Sequence, residues 1–349
     1  MTINFSDICS IGVGEQIKNY TPVSNRLDLK RHLDNLVRDF PGEPVFVVAG
    51  GTNILPSDAS CGEHIVHLLP SDTVSDTEAY NQYIWAGNSL DSVAWNLNLA
   101  ELSGIPGSIG GAVVQNAGAY GASISDFVHS VEVYDVLSKR YRVLSPAQCA
   151  FGYRTSIFKQ NEQNITADSS PKPIVTGVRI IPQPDTLEVR FDQLAKALRV
   201  QNGDRLPAEK VRASVLELRD SKGMLAPGFG FGQADDSDRR SCGSFWTNPI
   251  VPEFLLRKLP SCIPVYPADS PGYVKVSAAA LIENAGFCKG FALDGHASAG
   301  ISSKHCLALI NRDVNNSSAG HELRELKSVI EATVLERFSV ALLPEPVIL

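Results

Sequence analysis

The sequence predicts an α+β protein. Strand-like runs fill its first half and return at its end, while helix-like spacing is concentrated between them. The change in character falls after Pro184. One continuous doubly wound sheet would instead alternate the two element types along the whole chain. With 349 residues, the chain is long enough for two or three domains and a sizeable core.

Each element has its own signal. The segment EPVFVVAGGTNILPSD reads as a buried strand, a tight glycine turn and a second short strand. HIVH, with β-branched residues between His64 and His67, reads as a strand rather than half of a metal site, and no metal is expected. YIWAGNSL is a strand ending in a turn. SLDSVAWNLNLAELSG has a Ser/Asp start, apolar residues at helical spacing and Gly104 as a stop. VHSVEVYDVLSKRYRVLS alternates around a turn, as a hairpin does, and PIVTGVRIIP is a further strand.

Beyond Pro184, PAEKVRASVLELRDSKG and VKVSAAALIENAGF have helical spacing. Between them, APGFGFGQADDSDRRSCG is a polar, glycine-rich connection, and its 226–240 stretch is expected to be mobile. HELRELKSVIEATVLERF sets Leu323, Leu326, Ile330 and Val334 on one helical face. VALLPEPVIL closes the chain as a strand interrupted by prolines.

Composition excludes several function classes. The formal charge is −7, which argues against broad binding to nucleic acid or anionic membrane. No apolar run approaches the ~20 residues of a membrane span, and MTINFSDICSIGVG lacks the basic-then-apolar pattern of a secretory leader. The 7 cysteines are scattered and never form Cys-x-x-Cys, as expected of buried free thiols in a reducing cytoplasm.

Six short segments carry chemistry. Gly50-Gly51-Thr52-Asn53 follows a buried strand and could aim backbone amides and side-chain donors at an anion. SGIPGSIGGAVVQNAGAYG, Ser103 to Gly121, is glycine-rich and uncharged; Gly107, Gly110 and Gly111 would let amides approach a phosphate. Neither is a nucleotide-hydrolase loop or a Rossmann turn. Together they could grip the two ends of one long, diphosphate-containing cofactor. In FGYRTSIFK, the cations Arg154 and Lys159 sit among aromatics, and an arginine so held could clamp a carboxylate. SCGSFWTNP offers Ser244 without the setting of a hydrolytic nucleophile. LRDSKGM puts Arg219 and Lys222 at a helix end, where they could meet a diphosphate or lie solvated. In LLPEPV, Glu345 is a carboxylate fixed between prolines in an apolar tail; burial there would raise its pKa.

The order and wording of these segments closely resemble the bacterial UDP-N-acetylenolpyruvoylglucosamine reductases, from about residue 15 to the end. The most specific parts are the glycine loop, FGYR-x-S-x-F and GSF-x-x-NP. The resemblance implies a two-lobed FAD-binding module of the PCMH/vanillyl-alcohol-oxidase type and a C-terminal α+β substrate-binding domain. It implies lobe 1 at 1–70, lobe 2 at 71–195 with a terminal strand at 339–349 returning to it, and the substrate domain at 196–335.

The implied reaction is NADPH-dependent, FAD-mediated reduction of UDP-N-acetylglucosamine enolpyruvate to UDP-N-acetylmuramate in peptidoglycan precursor synthesis. FAD would lie along Gly50, Gly51, Thr52 and Asn53, and along Pro106, Gly107, Gly110, Gly111, Asn116 and Gly118, with Tyr120 near the reacting centre. Arg154 would hold the substrate carboxylate, Ser244 would deliver a proton, and Glu345 would act as a neutral hydrogen-bond donor. Tyr153, Phe191, Arg219, Lys222, Asn248 and Lys275 would contact the substrate or its diphosphate. Ala49 and Thr52 depart from the usual Gly-Gly-Gly-Ser-Asn, and Phe191 stands where many relatives have tyrosine. The expected partners are the UDP-sugar and NADPH, without nucleic acid, and the expected state is a cytoplasmic monomer. A flavin oxidase of the same fold, or a sugar-nucleotide binder without activity, are the rival expectations; the binder is disfavoured because Arg154, Ser244 and Glu345 are all present.

Overall fold

β1 (Asn19–Val23), β2 (Val45–Val48) and β4 (His64–Leu68) form a parallel sheet in the order β1–β4–β2. Parallel neighbours need a long crossover, and α1 (Arg26–Asp39) supplies the one between β1 and β2. Asn25 starts that helix by accepting a hydrogen bond from the Asp28 amide at 2.9 Å. Leu29 and Leu33, one turn apart, are its buried face. HIVH is the central strand β4, with paired neighbours on both sides, so its residues serve the sheet. β3 (Ile54–Leu55) lies just beyond the glycine turn that follows β2. The computed structural model describes residues 3–56, 64–71, 83–159, 172–225, 236–295 and 298–349.

The second segment is built on an antiparallel sheet. β5 (Ile84–Trp85), β8 (Val128–Asp135), β9 (Arg140–Leu144) and β10 (Ile174–Ile180) pair in the order β5–β10–β8–β9, with β8 and β9 as the expected hairpin. α2 (Leu90–Asn96) and α3 (Ile109–Gln115) precede β6 (Gly118–Ala119) and β7 (Ala122–Ser123). The expected helix through Gly104 is shorter. Asn98 adopts φ 57° and turns the chain, and Ala100–Leu102 form a separate 3-10 turn.

The two segments share one core. Val23, Leu29 and Leu33 of the first pack with Val131, Val133 and Val178 of the second.

β11 (Thr186–Glu188), α4 (Asp192–Leu198), β12 (Arg205–Pro207) and α5 (Ala208–Ser221) follow. Leu187, Val189, Leu194, Val211 and Val215 form a small core with Ala100 and Tyr120 of the preceding segment. This core runs across the expected boundary at residue 196.

The last core belongs to β13 (Ile250–Pro252), β14 (Val265–Pro267), β15 (Tyr273–Val276), α6 (Ala278–Asn284), β16 (Ala299–Ile301), β17 (Leu309–Asn311) and α7 (Ala319–Phe338), with Phe245 and Trp246 at its centre. Ile11, Val13 and Leu55 join it from the first segment. The helical spacing read in VKVSAAALIENAGF holds only after Ser277, whose side chain accepts from the Ala280 amide at 3.3 Å. Tyr273–Val276 before it are the middle strand of a small sheet.

The chain end returns as β18 (Val347–Ile348), parallel to β3. It therefore joins the first segment, and not the second as expected. This matters because β18 carries Glu345, two residues before it, to the turn that follows β2.

Of the 226–240 stretch, residues 226–235 lie outside the described residues; Ser237–Arg239 form a 3-10 turn. Cysteines 9, 149, 242 and 306 are buried free thiols, whereas Cys262 and Cys288 are exposed, and Cys61 lies outside the described residues.

Leu323, Leu326, Ile330 and Val334 are fully buried along α7, as the spacing indicates. Ile330→Ala is therefore expected to destabilise the protein by about 2–5 kcal/mol in urea unfolding. Leu335→Ala, at a residue 52% exposed on the same helix, should change stability by less than about 1 kcal/mol.

Candidate active site

The turn after β2 and the loop before α3 are in direct contact. A Cβ on Gly50 would lie 2.5 Å from the Gly107 Cα, and one on Gly107 would lie 2.6 Å from the Thr52 Oγ1. Thr52 Oγ1 donates to the Pro106 carbonyl at 3.2 Å. Gly51, at φ 57°, has the Ile8 carbonyl where its Cβ would be. Gly110 lies against Ala86, to whose carbonyl its amide donates at 2.9 Å, and Gly118 lies against Ala122 and Ser123.

Gly50 and Gly51 are thus required for backbone-on-backbone packing, and Gly107 for the close approach of the Thr52 hydroxyl. The two turns abut and form one continuous wall.

That wall lines a cleft of about 1350 Å³. Gly50, Gly51, Thr52, Asn53, Pro106, Gly107, Gly110, Gly111 and Gly118 all face it, and Phe46, Val48, Ile105 and Val114 give it apolar flanks. Ser108 caps α3 by accepting from the Gly111 amide at 3.0 Å. Asn116 does not line the cleft. Its side chain donates to the Gly152 carbonyl at 2.8 Å and accepts from the Ser125 amide at 3.2 Å, which joins α3 to the FGYR segment.

Arg154, Ser244 and Glu345 reach the same cleft from three distant parts of the chain. Arg154 Nε lies 3.2 Å from Glu345 Oε1. Its guanidinium also donates to the Asn116 carbonyl at 3.4 Å and to the Gly118 carbonyl. Arg154 has φ 55°, a left-handed conformation that costs a non-glycine residue about 1 kcal/mol or more. The surrounding turn holds it there through paired backbone hydrogen bonds between Gly152 and Thr155 at 3.0 and 3.3 Å.

The Glu345 amide donates to the Phe245 carbonyl at 2.8 Å, which ties it directly to the Ser244 segment. Its carbonyl accepts from Asn53 Nδ2 at 3.2 Å and from Lys159 Nζ at 3.0 Å. Glu345 thus reaches the Arg154 guanidinium with its side chain, and Asn53, Lys159 and the Phe245 segment with its main chain.

The remaining expected residues stand in two groups at the cleft's margins. In the first, Lys275 Nζ lies 4.0 Å and the Arg154 guanidinium carbon 5.5 Å from the centre of the Tyr153 ring. The Asn248 amide donates to the Tyr153 hydroxyl at 3.4 Å, and the Asn248 side chain accepts from the Ala278 amide at 2.9 Å. Burial pushes the Tyr153 phenol up.

In the second, Lys222 Nζ is 5.5 Å from the centre of the Tyr120 ring, and Phe191 meets that ring edge-on at 5.9 Å between centres. Tyr120 is buried in the small core of α4 and α5 and is not on the cleft wall, contrary to the expected place beside the reacting centre. Only Arg219 of this group lines the cleft. Burial brings its guanidinium down to about 10, and among the described residues its buried Nε has no partner. Burial first, and then Arg219, also lowers Lys222.

Sequence reasoning missed Gln115 and Arg239 on the cleft wall and left Lys159 a cation of unassigned role. Gln115 is buried at the end of α3, and its Nε2 has no partner among the described residues. Its signal was a lone amide closing an apolar helix. Arg239 is buried and binds the Leu225 carbonyl, Asp220 and Asp236. Nothing in the charge run DDSDRR distinguished it from its neighbours.

Residues 235–349 match the family model for the UDP-N-acetylenolpyruvoylglucosamine reductase C-terminal domain, and residues 31–142 match that for an FAD binding domain. The UDP-N-acetylenolpyruvoylglucosamine reductase of Tropheryma whipplei (strain TW08/27) is 37% identical over 360 residues, covering 99% of this chain and 98% of the relative. The chain belongs to the UDP-N-acetylenolpyruvoylglucosamine reductase family. The family member of Thermobifida fusca is 35% identical over 366 residues, with 99% and 97% covered. A crystal structure of the Thermus caldophilus enzyme superposes with a TM-score of 0.63 at 22% identity, covering 100% of this chain and 98% of that one, so the fold is shared.

The cleft fits the FAD such a domain binds. Its volume exceeds the 300–1,000 Å³ typical of drug-sized ligands, and it combines apolar flanks with a glycine wall that no side chain obstructs. No helix among the described residues is long and apolar enough to cross a membrane.

His305, whose charge Lys222 opposes, gives a pH test. Burial, reinforced by Lys222 and Lys289 and opposed by Glu283, brings His305 down to about 4. Its Nδ1 accepts from the Leu307 amide at 3.1 Å, which the neutral ring can do. The unfolded chain takes up that proton near pH 6.5 and the folded chain does not, so stability is full above 6.5 and falls toward 4. Over that range the wild type should lose roughly 3 kcal/mol more than His305→Gln in urea unfolding; equal losses would contradict the burial of a neutral ring.

Proposed function

We propose that this protein reduces the enolpyruvyl group of UDP-N-acetylglucosamine enolpyruvate to give UDP-N-acetylmuramate, with NADPH as reductant, in the cytoplasmic stage of peptidoglycan precursor synthesis. The observation that carries this reading is that Arg154, Ser244 and Glu345 line one cleft together with the paired glycine turns.

FAD, held along the paired glycine turns, would supply hydride transfer from NADPH to the outer carbon of the enol-ether double bond. The chain's own residues handle the rest. Hydride addition leaves an electron pair on the inner carbon, conjugated with the substrate carboxylate. Arg154 holds that carboxylate and stabilises the charge as it moves onto the carboxylate oxygens; a pre-oriented cation in a partly dry cleft is effective there. Glu345 fixes the guanidinium through the ion pair and keeps it directed into the cleft. Ser244 delivers the proton to the inner carbon, an acid–base step that serine can perform because an enolate carbon is a strong base at close range. One hydride and one proton add across the double bond, and NADPH leaves as NADP⁺.

In this reading Gly50, Gly51, Thr52, Asn53, Pro106, Gly107, Gly110, Gly111 and Gly118 hold the cofactor, and Asn116 braces them. Tyr153, Asn248 and Lys275 take one end of the substrate. Arg219 and Lys222, two cations whose charge burial disfavours, gain most from a diphosphate that neutralises them. Phe191 offers an exposed face beside them. Residues 1–185 with β18 would form the flavin module, and 242–342 the core of the substrate domain.

The test is made without oxygen. NADPH should bleach the flavin, and the enolpyruvyl UDP-sugar should restore its oxidised spectrum with formation of UDP-N-acetylmuramate. Ser244→Ala should leave bleaching within about threefold of wild type and slow the restoration about 10²–10⁴-fold. An equal fall in both phases would remove Ser244 from the proton-donor role.

A further inference from the structure

We propose that Lys159 is a positioning residue that pins the backbones of Arg154 and Glu345 to each other and so sets the geometry of their side chains. This rests on the reductase reading above and assigns a role to a residue outside the expected site.

Lys159 is buried, at 8% exposure, yet borders the cleft. Its Nζ donates to the Glu345 carbonyl at 3.0 Å and to the Arg154 carbonyl at 3.3 Å. One ammonium therefore joins two main-chain positions far apart in the sequence, each carrying one partner of the ion pair. Arg154 sits in a left-handed conformation within its local turn, and Glu345 lies between two prolines that lack amide donors. Lys159 supplies a main-chain tether to each, and of the contacts around the pair it is the one that joins the two main chains directly.

Its own backbone is held in turn. The Lys159 amide donates to the Ser156 carbonyl at 3.3 Å, its carbonyl accepts from Lys172, and the Ser156 hydroxyl donates to the Val114 carbonyl of α3 at 2.7 Å. The tether thus runs from α3 through Lys159 to the returning chain end.

Burial is the largest influence on the Lys159 ammonium and lowers it, with Arg154 acting the same way and Glu345 opposing. A buried lysine devoted to two carbonyls is not explained by surface solubility or by an exposed ion pair. Asn53 Nδ2 reaches the same Glu345 carbonyl at 3.2 Å, so removing Lys159 loosens the chain end without releasing it.

The test compares Lys159→Met with Lys159→Arg in the flavin-loaded protein by two independent readouts. In native-state hydrogen exchange, Lys159→Met should speed exchange in residues 343–349 by about tenfold or more and leave α7 unchanged. In anaerobic single turnover it should slow restoration of the flavin spectrum by the UDP-sugar about 30-fold, with NADPH bleaching within about threefold of wild type. Lys159→Arg, which keeps a charged donor, should recover most of both. Unchanged exchange in 343–349 would overturn the tether even if turnover fell. Faster exchange with undiminished turnover would overturn its part in the reaction. If wild type itself fails to turn over the UDP-sugar, the reductase reading falls, while the exchange result still decides the tether. Should Lys159→Met not fold, Lys159→Gln gives the same comparison.

Discussion

The ion pair between Arg154 and Glu345 is the interaction around which the site is organised. It closes a circuit from α3, through the FGYR turn and across the cleft, to the last residues of the chain. Every part of that circuit is visible as a hydrogen bond: Asn116 to Gly152, Arg154 to Gly118, Lys159 and Asn53 to the Glu345 carbonyl, and Glu345 to Phe245 beside Ser244. A half-buried pair of this kind contributes little net stability by itself, because desolvating the charges offsets their attraction. What it contributes is direction, a guanidinium held at a defined place before any substrate arrives. Preorganised charge of that kind is a large part of what enzymes use to stabilise developing anions.

The glycine turns do a different job from the one their composition suggests. The residues that look like a ligand cradle are glycine because two loops and the amino-terminal segment meet backbone to backbone. The glycine wall that results carries no charged side chain, which leaves room along it for a long cofactor. Ligand fit here is a consequence of packing, and a side chain placed on Gly50 or Gly107 would separate the loops before it touched a ligand.

Much of the fold was legible in the sequence. The α7 stripe, the β8–β9 hairpin, the strand–turn–strand around Gly50 and the central β4 are dictated by local periodicity and turn chemistry, and all formed. Two elements were misread for definable reasons. The helix after Ser89 stops early because Asn98 takes a left-handed conformation that no apolar spacing reveals. VKVS has the spacing of a helix but becomes a strand because β13 and β14 pair with it on both sides.

The site was legible as residue types and order, but not as geometry. The contact between Glu345 and Arg154 joins segments far apart in the sequence, which is a tertiary fact. Tyr120 was placed at the reacting centre from its motif, but α4 and α5 bury it in their own core. Lys159 was visible as a cation among aromatics, yet its role depends on a chain end that arrives from far along the sequence.

The most direct measurement of the central claim is a double-mutant cycle of Arg154→Gln and Glu345→Gln, read as the rate at which the UDP-sugar restores the reduced flavin's spectrum. If the two side chains act as one unit, the double variant should be little slower than the worse single variant, a coupling of about 1–3 kcal/mol. Losses that simply multiply would show that the two residues act independently, and the account of the site built on their contact would be wrong.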